Sequence, residues 1–332
     1  REAYSQAVRE IRELISQGIT YQINYTARFR GRFAGDVLAL FRDLFANQPT
    51  PFAAFIEYGR YAVCSVSPEL FFELNGDVII SRPMKGTIRR GYDLEEDNAQ
   101  ILRLARSEKD RAENAMIADM VRNDVGKIAV PRTVSVSQAF AIEKYPTVFQ
   151  MITEIRGRTS VPLPRVFSAL FPPSSITGAP KNSAMRNIAR LEHSPRGVYT
   201  GAIGVVHPGA VRRARFSVAI RTAVVDVERG EIEYGSGGGI VFDSDPDKEY
   251  EELCLKATVL TEPRVPFKLI ETMRVERGGQ IEFLDRHLRR LERSARYFGF
   301  PVDVEHIQRE VRERASACGE GLAVVRLLVS ED

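Results

Sequence analysis

The chain of 332 residues has no tryptophan, only four histidines and only three cysteines. The histidines (His193, His207, His287 and His306) show no ligand spacing, so nothing supports a zinc site. Cys64, Cys254 and Cys318 are far apart and form no C-x-x-C pair, which excludes a disulfide framework and points to a reducing, cytoplasmic compartment. No apolar run approaches the roughly 18 to 20 residues of a membrane helix, so no membrane partner is expected. The N-terminus, Arg1-Glu2-Ala3-Tyr4-Ser5, opens an amphipathic helix rather than a signal peptide. Neither sign of charge dominates, with 47 basic against 44 acidic residues, and no electrostatic case for nucleic acid arises. The chain also lacks a G-x-x-x-x-G-K-[ST] loop and a G-x-G-x-x-G turn, and nucleotide binding has no motif to rest on. What is present, 44% hydrophobic and 27% charged residues, suits one large globular domain or two smaller ones.

Ala7, Val8, Ile11, Leu14 and Ile15 fall at helical spacing and stop before Gly18. Tyr21 to Thr26 reads as a strand, and Phe52–Val66 and Leu70–Ile80 as further strands, the second pair turning at Asn75-Gly76-Asp77. The apolar period over 94–128 predicts one long helix, with strands at 133–140 and 147–159 and a helix from Pro180 to Leu191. Three strands (198–207, 214–227, 231–242) then precede a helix over 247–260. Prolines in Thr261-Glu262-Pro263-Arg264-Val265-Pro266 mark a linker at 263–266 between a domain over 1–262 and a small partial one over 267–332. In that tail, a hairpin is expected over Phe267–Phe283, then a helix capped by Asp285, a second helix and a strand from Leu322 to Val329. Its arginines at 286, 289, 290, 293 and 296 are balanced by as many acids, 12 of each sign in 267–332, and read as a solvated helix face.

Two acidic pairs stand out. Asp110 with Glu113, and Glu249 with Glu252, are each three apart on a predicted helix, so each pair shares a face. One or two carboxylates with waters and a substrate anion are what Mg²⁺ prefers, although acidic pairs on helices are ordinarily solvated surface. Lys85 lies between Pro83-Met84 and Gly86-Thr87; near Arg82, Arg89 or Arg90 a buried lysine would lose its proton more easily and serve as a nucleophile. Glu69, among apolar residues at a strand start, is a candidate general acid or an edge salt-bridge partner. Ser174-Ser175-Ile176-Thr177-Gly178-Ala179-Pro180-Lys181 is a small-residue turn opening a helix, suited to anions. Arg221, in an apolar strand, calls for a carboxylate partner. The glycines of Gly235-Ser236-Gly237-Gly238-Gly239 allow a ligand to approach the backbone.

In order and spacing, residues 4 to about 261 resemble the chorismate-binding domain shared by anthranilate, aminodeoxychorismate, isochorismate and salicylate synthases. The matching pieces are Tyr21-Gln22-Ile23-Asn24, Ser67-Pro68-Glu69-Leu70, Arg82-Pro83-Met84-Lys85-Gly86-Thr87 and the run from Arg111 to Asp124. They continue with Ile176-Thr177-Gly178-Ala179-Pro180-Lys181, Tyr199-Thr200-Gly201-Ala202, Gly237 to Pro246, and Glu249-Tyr250-Glu251-Glu252. The resemblance implies an α+β sandwich of two mainly antiparallel sheets flanked by helices, with a small partial α/β piece after it. It also implies roles. Glu113 and Glu252 would hold Mg²⁺ against the ring carboxylate of chorismate, with Asp110 and Glu249 nearby through waters. Arg221, Tyr199 and the amides of Gly238 and Gly239 would grip the enolpyruvyl carboxylate, with Lys256, Thr177 and Gly178 also facing the substrate. Glu69 would help the C4 hydroxyl leave.

Lys85 in Pro-Met-Lys-Gly-Thr resembles the aminodeoxychorismate synthases, where anthranilate synthases resemble Pro-x-Ala-Gly-Thr. Gln22 stands where isochorismate-type enzymes carry a water-activating lysine, and an amide is a poor base. Together they imply amination of chorismate with ammonia, the ammonia coming from glutamine by way of a separate amidotransferase subunit. Anthranilate synthase and a non-catalytic chorismate-binding module are the alternatives. Gln150 replaces a histidine many family members carry, Ser175 a common glycine, and the family's N-terminal lobe is expected to be absent. Phe267–Arg274 and Leu284–Leu291 resemble the opening of aminodeoxychorismate lyase, a fold-type IV pyridoxal-phosphate enzyme. The chain stops before that family's Schiff-base lysine, so no pyridoxal phosphate is expected.

Overall fold

In the computed structural model, which describes residues 1–261, 266–319 and 321–330, the chain divides into two compact units. One holds Arg1–Ile88 and the chain from Arg103 through Thr261; the other holds Arg89–Leu102 and the chain from Pro266 on. Residues 262–265, most of the expected linker, lie outside the described residues.

The chain begins with α1 (Glu2–Ser16), β1 (Gln22–Arg32) and α2 (Val37–Asn47). Two hairpins follow, β2 (Phe52–Tyr58) with β3 (Tyr61–Ser67) and β4 (Leu70–Asn75) with β5 (Val78–Arg82), then β6 (Met84–Arg89). Next come α3 (Leu94–Arg106), α4 (Glu108–Gly126), β7 (Ser135–Lys144), β8 (Val148–Arg158) and α5 (Leu163–Leu170). A two-residue strand β9 (Gly178–Ala179) leads into α6 (Lys181–Leu191), β10 (Ala202–His207), β11 (Arg213–Val218), β12 (Thr222–Asp226), β13 (Glu231–Ile240) and α7 (Pro246–Ala257). One sheet runs β2-β3-β12-β13-β1-β9; the other runs β10-β11-β4-β5-β8-β6, with β7 beside β8. This is the expected α+β sandwich of antiparallel sheets with helices outside.

Burial follows the apolar pattern of each element. Ile117, Val121 and Val125 recur on one face of α4 and pack with α5 onto Phe72, Leu74, Ile79 and Ile155 of the second sheet. Val8 and Ile11 of α1 meet Ile23 of β1, Ile188 of α6 and Leu253 of α7 against the first sheet. Leu44 of α2 covers Cys64, Val66 and Val225. Among the described residues, no helix is long and apolar enough to cross a membrane.

Several expectations are corrected. The helix over 94–128 is two helices, because Ser107 takes an extended conformation and its hydroxyl accepts from the Asp110 amide, starting α4 afresh. A serine can break a helix in this way without interrupting the apolar period. The strand over 214–227 is likewise two strands in two sheets. Between them Arg221 has φ +50, and the chain passes there from one face of the sandwich to the other. Val198–Gly201 is a turn, so the strand expected from 198 starts at Ala202.

The second unit contains β14 (Leu269–Val275), α8 (Leu284–Phe298), α9 (Val304–Ser316) and β15 (Ala323–Val329). The expected hairpin over Phe267–Phe283 is reduced to one bridge, Val275 with Ile281; β14 pairs instead with β15, Leu269 opposite Val329. Asp285 is not the cap of α8: Phe283 holds that position with φ 55, and Asp285 lies in the first turn. The five arginines of α8 are exposed, as expected, while Leu284, Leu288 and Leu291 face the small core.

Candidate active site

A cavity of about 300 Å³ opens in the first unit, lined by both sheets and by α4 and α7. Strand β1 contributes Asn24, the β3–β4 turn Glu69, β6 Lys85, the sheet crossover Arg221, and β13 the run from Tyr234 to Gly239. Helix α4 presents Asp110 and Glu113, and α7 presents Glu249, Glu252 and Lys256, each set on one helix face as the spacing requires.

Lys85 is half-buried on β6, its amine 3.5 Å from Asn24 Oδ1. Burial pushes its pKa below the ordinary lysine value; Glu113 opposes that shift and the nearby Lys256 adds to it. The helpful neighbouring cation is thus Lys256, not the arginines expected from sequence. Arg82 pairs with Glu143 and Glu154, and Arg90 with Asp97. Asn114, to which sequence reading gave no role, donates from Nδ2 to the carbonyls of Lys85 (3.0 Å) and Met151 (3.1 Å) and so fixes the backbone under the amine.

Glu69 is 4% exposed, and burial raises its carboxyl to about 7, a shift held back by the Ser175 hydroxyl, Lys85 and the Met84 backbone. At neutral pH a large fraction carries a proton, as a general acid requires. Arg221 also lines the cavity. Among the described residues its guanidinium has no acid partner, and burial lowers its pKa, a shift opposed by Tyr234 and Tyr145. A half-buried guanidinium without a carboxylate is still costly, and an anionic ligand would satisfy it. Tyr199 lies between the Arg28 guanidinium, 4.8 Å from its ring, and Gly235, where a Cβ would come 2.2 Å from the ring.

The glycines of β13 form one wall. A Cβ on Gly239 would lie 2.1 Å from Gln22 Nε2, and one on Gly238 3.2 Å from Glu249 Oε2 and 4.0 Å from Glu252 Oε1. The backbone is therefore bare where two carboxylates converge. Lys256 Nζ bonds Glu252 Oε1 at 2.6 Å and the Gly237 carbonyl at 2.9 Å, and its charge holds Glu252 below the ordinary carboxylate range. Burial pushes Glu113 and Glu249 the other way. No three acids, histidines or cysteines among the described residues make a ready metal cage. Mg²⁺ needs only one or two carboxylates with water and ligand oxygens, and facing carboxylates from two helices beside a bare strand suit that donor set.

Not every expected residue reaches the cavity. Thr177 and Gly178 lie beneath its wall: the Thr177 hydroxyl donates to the carbonyls of Pro173 (3.1 Å) and Ser174 (3.3 Å), and Gly178 packs on the Gln22 backbone. Gln22 is buried behind Gly239, its amide without a hydrogen-bond partner among the described residues. Gln150 and Ser175, the departures noted in the sequence, both line the cavity.

This fold and cavity define a class. The sequence profile of chorismate binding enzymes matches residues 1–262, and that of class IV amino-transferases matches 268–332. The chain belongs to the chorismate-binding enzyme family and carries a class IV amino-transferase segment after that domain. It is 42% identical over 257 residues to the aminodeoxychorismate synthase of Streptomyces pristinaespiralis, a match covering 76% of this chain and 35% of that protein. It is 37% identical over 254 residues to anthranilate synthase component 1 of Saccharolobus solfataricus, covering 76% and 59%. Among solved structures, anthranilate synthase component I from Streptococcus pneumoniae superposes with a TM-score of 0.72 at 29% identity, covering 79% of this chain and 57% of that one. The chain thus spans 35% and 59% of the lengths of these two curated relatives.

Proposed function

We propose that this chain aminates chorismate at C4 to 4-amino-4-deoxychorismate, a step toward 4-aminobenzoate and folate, using ammonia released from glutamine by a separate amidotransferase subunit. The observation that carries the reading is Lys85: an amine of lowered pKa in the same cavity as an acid raised to about 7, Glu69, and a guanidinium with no acid partner among the described residues, Arg221.

Arg221 and Tyr199, with the bare backbone of Gly238 and Gly239, receive the enolpyruvyl carboxylate. Mg²⁺ held by Glu113 and Glu252, with Asp110 and Glu249 through waters, would neutralise the ring carboxylate. The neutral amine of Lys85 attacks C2, the ring double bonds shift, and the C4–O bond breaks, the hydroxyl leaving as water with the proton of Glu69. Ammonia then bonds to C4 while the C2–N bond breaks and its electron pair returns to Lys85. The product amine keeps its proton, and Glu69 recovers one from solvent. Gln22, an amide buried behind Gly239, supplies the cavity with no base to deprotonate a water, which favours ammonia as the incoming group.

Incubating the purified chain with Mg²⁺, chorismate and ammonium salt, and identifying the product by mass, tests the reading. Aminodeoxychorismate supports it; anthranilate or isochorismate overturns it. Anthranilate synthesis is the second reading, favoured by the identity to anthranilate synthase component 1. Its fluorescent product separates the two.

A further inference from the structure

Glu69 stands in the wall between two cavities. One is the active-site cavity; the other is a space of about 10 Å³ on the opposite side of the acid, whose lining residues are all buried. That volume is at the threshold for a single water, which needs about 10–15 Å³ and two to four polar partners. The partners are present: Glu69, Ser81, Ser174, Ser175 and Asp124 all line the space, and Val121, Phe71 and their apolar neighbours complete the lining.

Asp124 is 4% exposed and not part of the chemistry above. Its Oδ2 accepts from Ser174 Oγ at 3.0 Å and from Lys181 Nζ at 2.5 Å, and its Oδ1 accepts from Lys127 Nζ at 2.6 Å. Lys127 is the way out: its side chain is 52% exposed, while that of Lys181 is 17% exposed. The charged groups facing this path are thus Lys127 on α4, Lys181 on α6 and, across Glu69, Lys85 on β6.

We propose that one buried water bridges Glu69 and Asp124, and that Glu69 exchanges its proton with solvent along this interior path rather than through the occupied substrate cavity. The role of the path in turnover rests on the reading of Glu69 as the acid; the water and the exchange do not. Each cycle leaves Glu69 ionised beneath bound ligand. A proton from solvent enters beside Lys127, passes from Asp124 to the water and from the water to Glu69; only O–H bonds form and break. Asp124 acts through Glu69 and is a positioning residue. A carboxyl raised to about 7 has both forms populated near neutrality, as a relayed group needs.

The test follows the carboxylic C=O infrared band of Glu69, assigned by its loss in Glu69→Gln, after transfer to D₂O of the chain with its substrate cavity filled by saturating isophthalate, a ring dicarboxylate with no hydroxyl to lose. Asp124→Asn removes the relay acid, and Val121→Ile fills the cavity without touching a polar group. Slowing of the deuterium shift by about tenfold or more in Val121→Ile is the expected result, with the same in Asp124→Asn where that variant folds. Wild-type exchange in Val121→Ile, or a high-resolution crystal structure with this cavity dry, overturns the proposal. In turnover, Asp124→Asn should lower kcat about tenfold with KM unchanged, flatten the pH dependence near 7 and regain rate with added formic acid. Because isophthalate is not turned over, the exchange measurement stands or falls apart from the identity of the product.

Discussion

A Cβ placed on Gly239 falls 3.0 Å from Lys85 Nζ, so the bare strand and the amine define one space between them. Neither residue by itself marks that space. The strand pairing of β13 with β1, Asn24 opposite Gly239, puts the glycine beside the lysine of β6.

Gly239→Ala should therefore fold but work poorly. The new methyl meets the far ends of two side chains, Gln22 and Lys85, which can move, at a stability cost of about 1–3 kcal/mol. Displacing the amine by about 1 Å should lower turnover roughly a hundredfold. Steady-state rates beside a urea melt check both halves.

Glu69 should make stability depend on pH. Its folded value of about 7 lies above the ordinary 4.5, so the folded chain holds the proton more tightly than the unfolded one. That contribution is complete below about 4.5 and lost as pH rises through 7, about 3 kcal/mol over the window. Glu69→Gln should flatten the difference between urea midpoints at pH 5 and pH 8. In the rate, the same change should remove the limb centred near 7 and leave the one set by Lys85.

Arg221→Met should stabilise the free chain by up to about 1 kcal/mol, since it replaces a half-buried guanidinium that has no acid partner among the described residues. Chorismate affinity should fall about a hundredfold. Thermal melts with and without ligand separate the two effects, and a variant that is both less stable and fully able to bind would contradict the assignment.

Chelation should abolish turnover and Mg²⁺ restore it. Glu113→Gln and Glu252→Gln should each weaken Mg²⁺ binding in the presence of chorismate about tenfold or more, read by calorimetry. Equal Mg²⁺ affinity in both variants would remove these acids from the metal site.

In the second unit, Glu271 is buried at 3% exposure and accepts from Arg290 Nε at 2.7 Å, with His287 Nδ1 at the same distance. Burial works against its ionisation, but those hydrogen bonds outweigh it and hold the carboxyl below the ordinary range. Stability from this group is present above about 4.5 and lost as pH falls through the lowered value. Glu271→Ala should cost about 2 kcal/mol at pH 7 and less at pH 3, read by hydrogen exchange of β14.

Local signals were legible where a residue's neighbours in sequence are also its neighbours in space. The hairpin turn at Gly76, the helix after Pro180 and the two acid pairs three residues apart follow from backbone geometry alone. The apolar period carried straight through Ser107, because a cap changes backbone angles and not polarity. Strand 214–227 looked continuous because both halves are apolar; the left-handed turn at Arg221 is demanded by the second sheet, not by the residues beside it. The hairpin expected in the tail failed for a similar reason, since the partner of β14 begins at Ala323.

What the sequence determined by itself was the chemical inventory and its local geometry: the lysine, the acids on shared helix faces, the glycines and the motifs that carry the family. Tertiary structure decided which of them meet. It brought Lys256 rather than an arginine to Lys85, kept Thr177 and Gly178 beneath the wall, and set the proton affinities of Glu69 and Lys85. Those depend on burial and on charges far away in the chain, and both exist only once the two sheets have closed on each other.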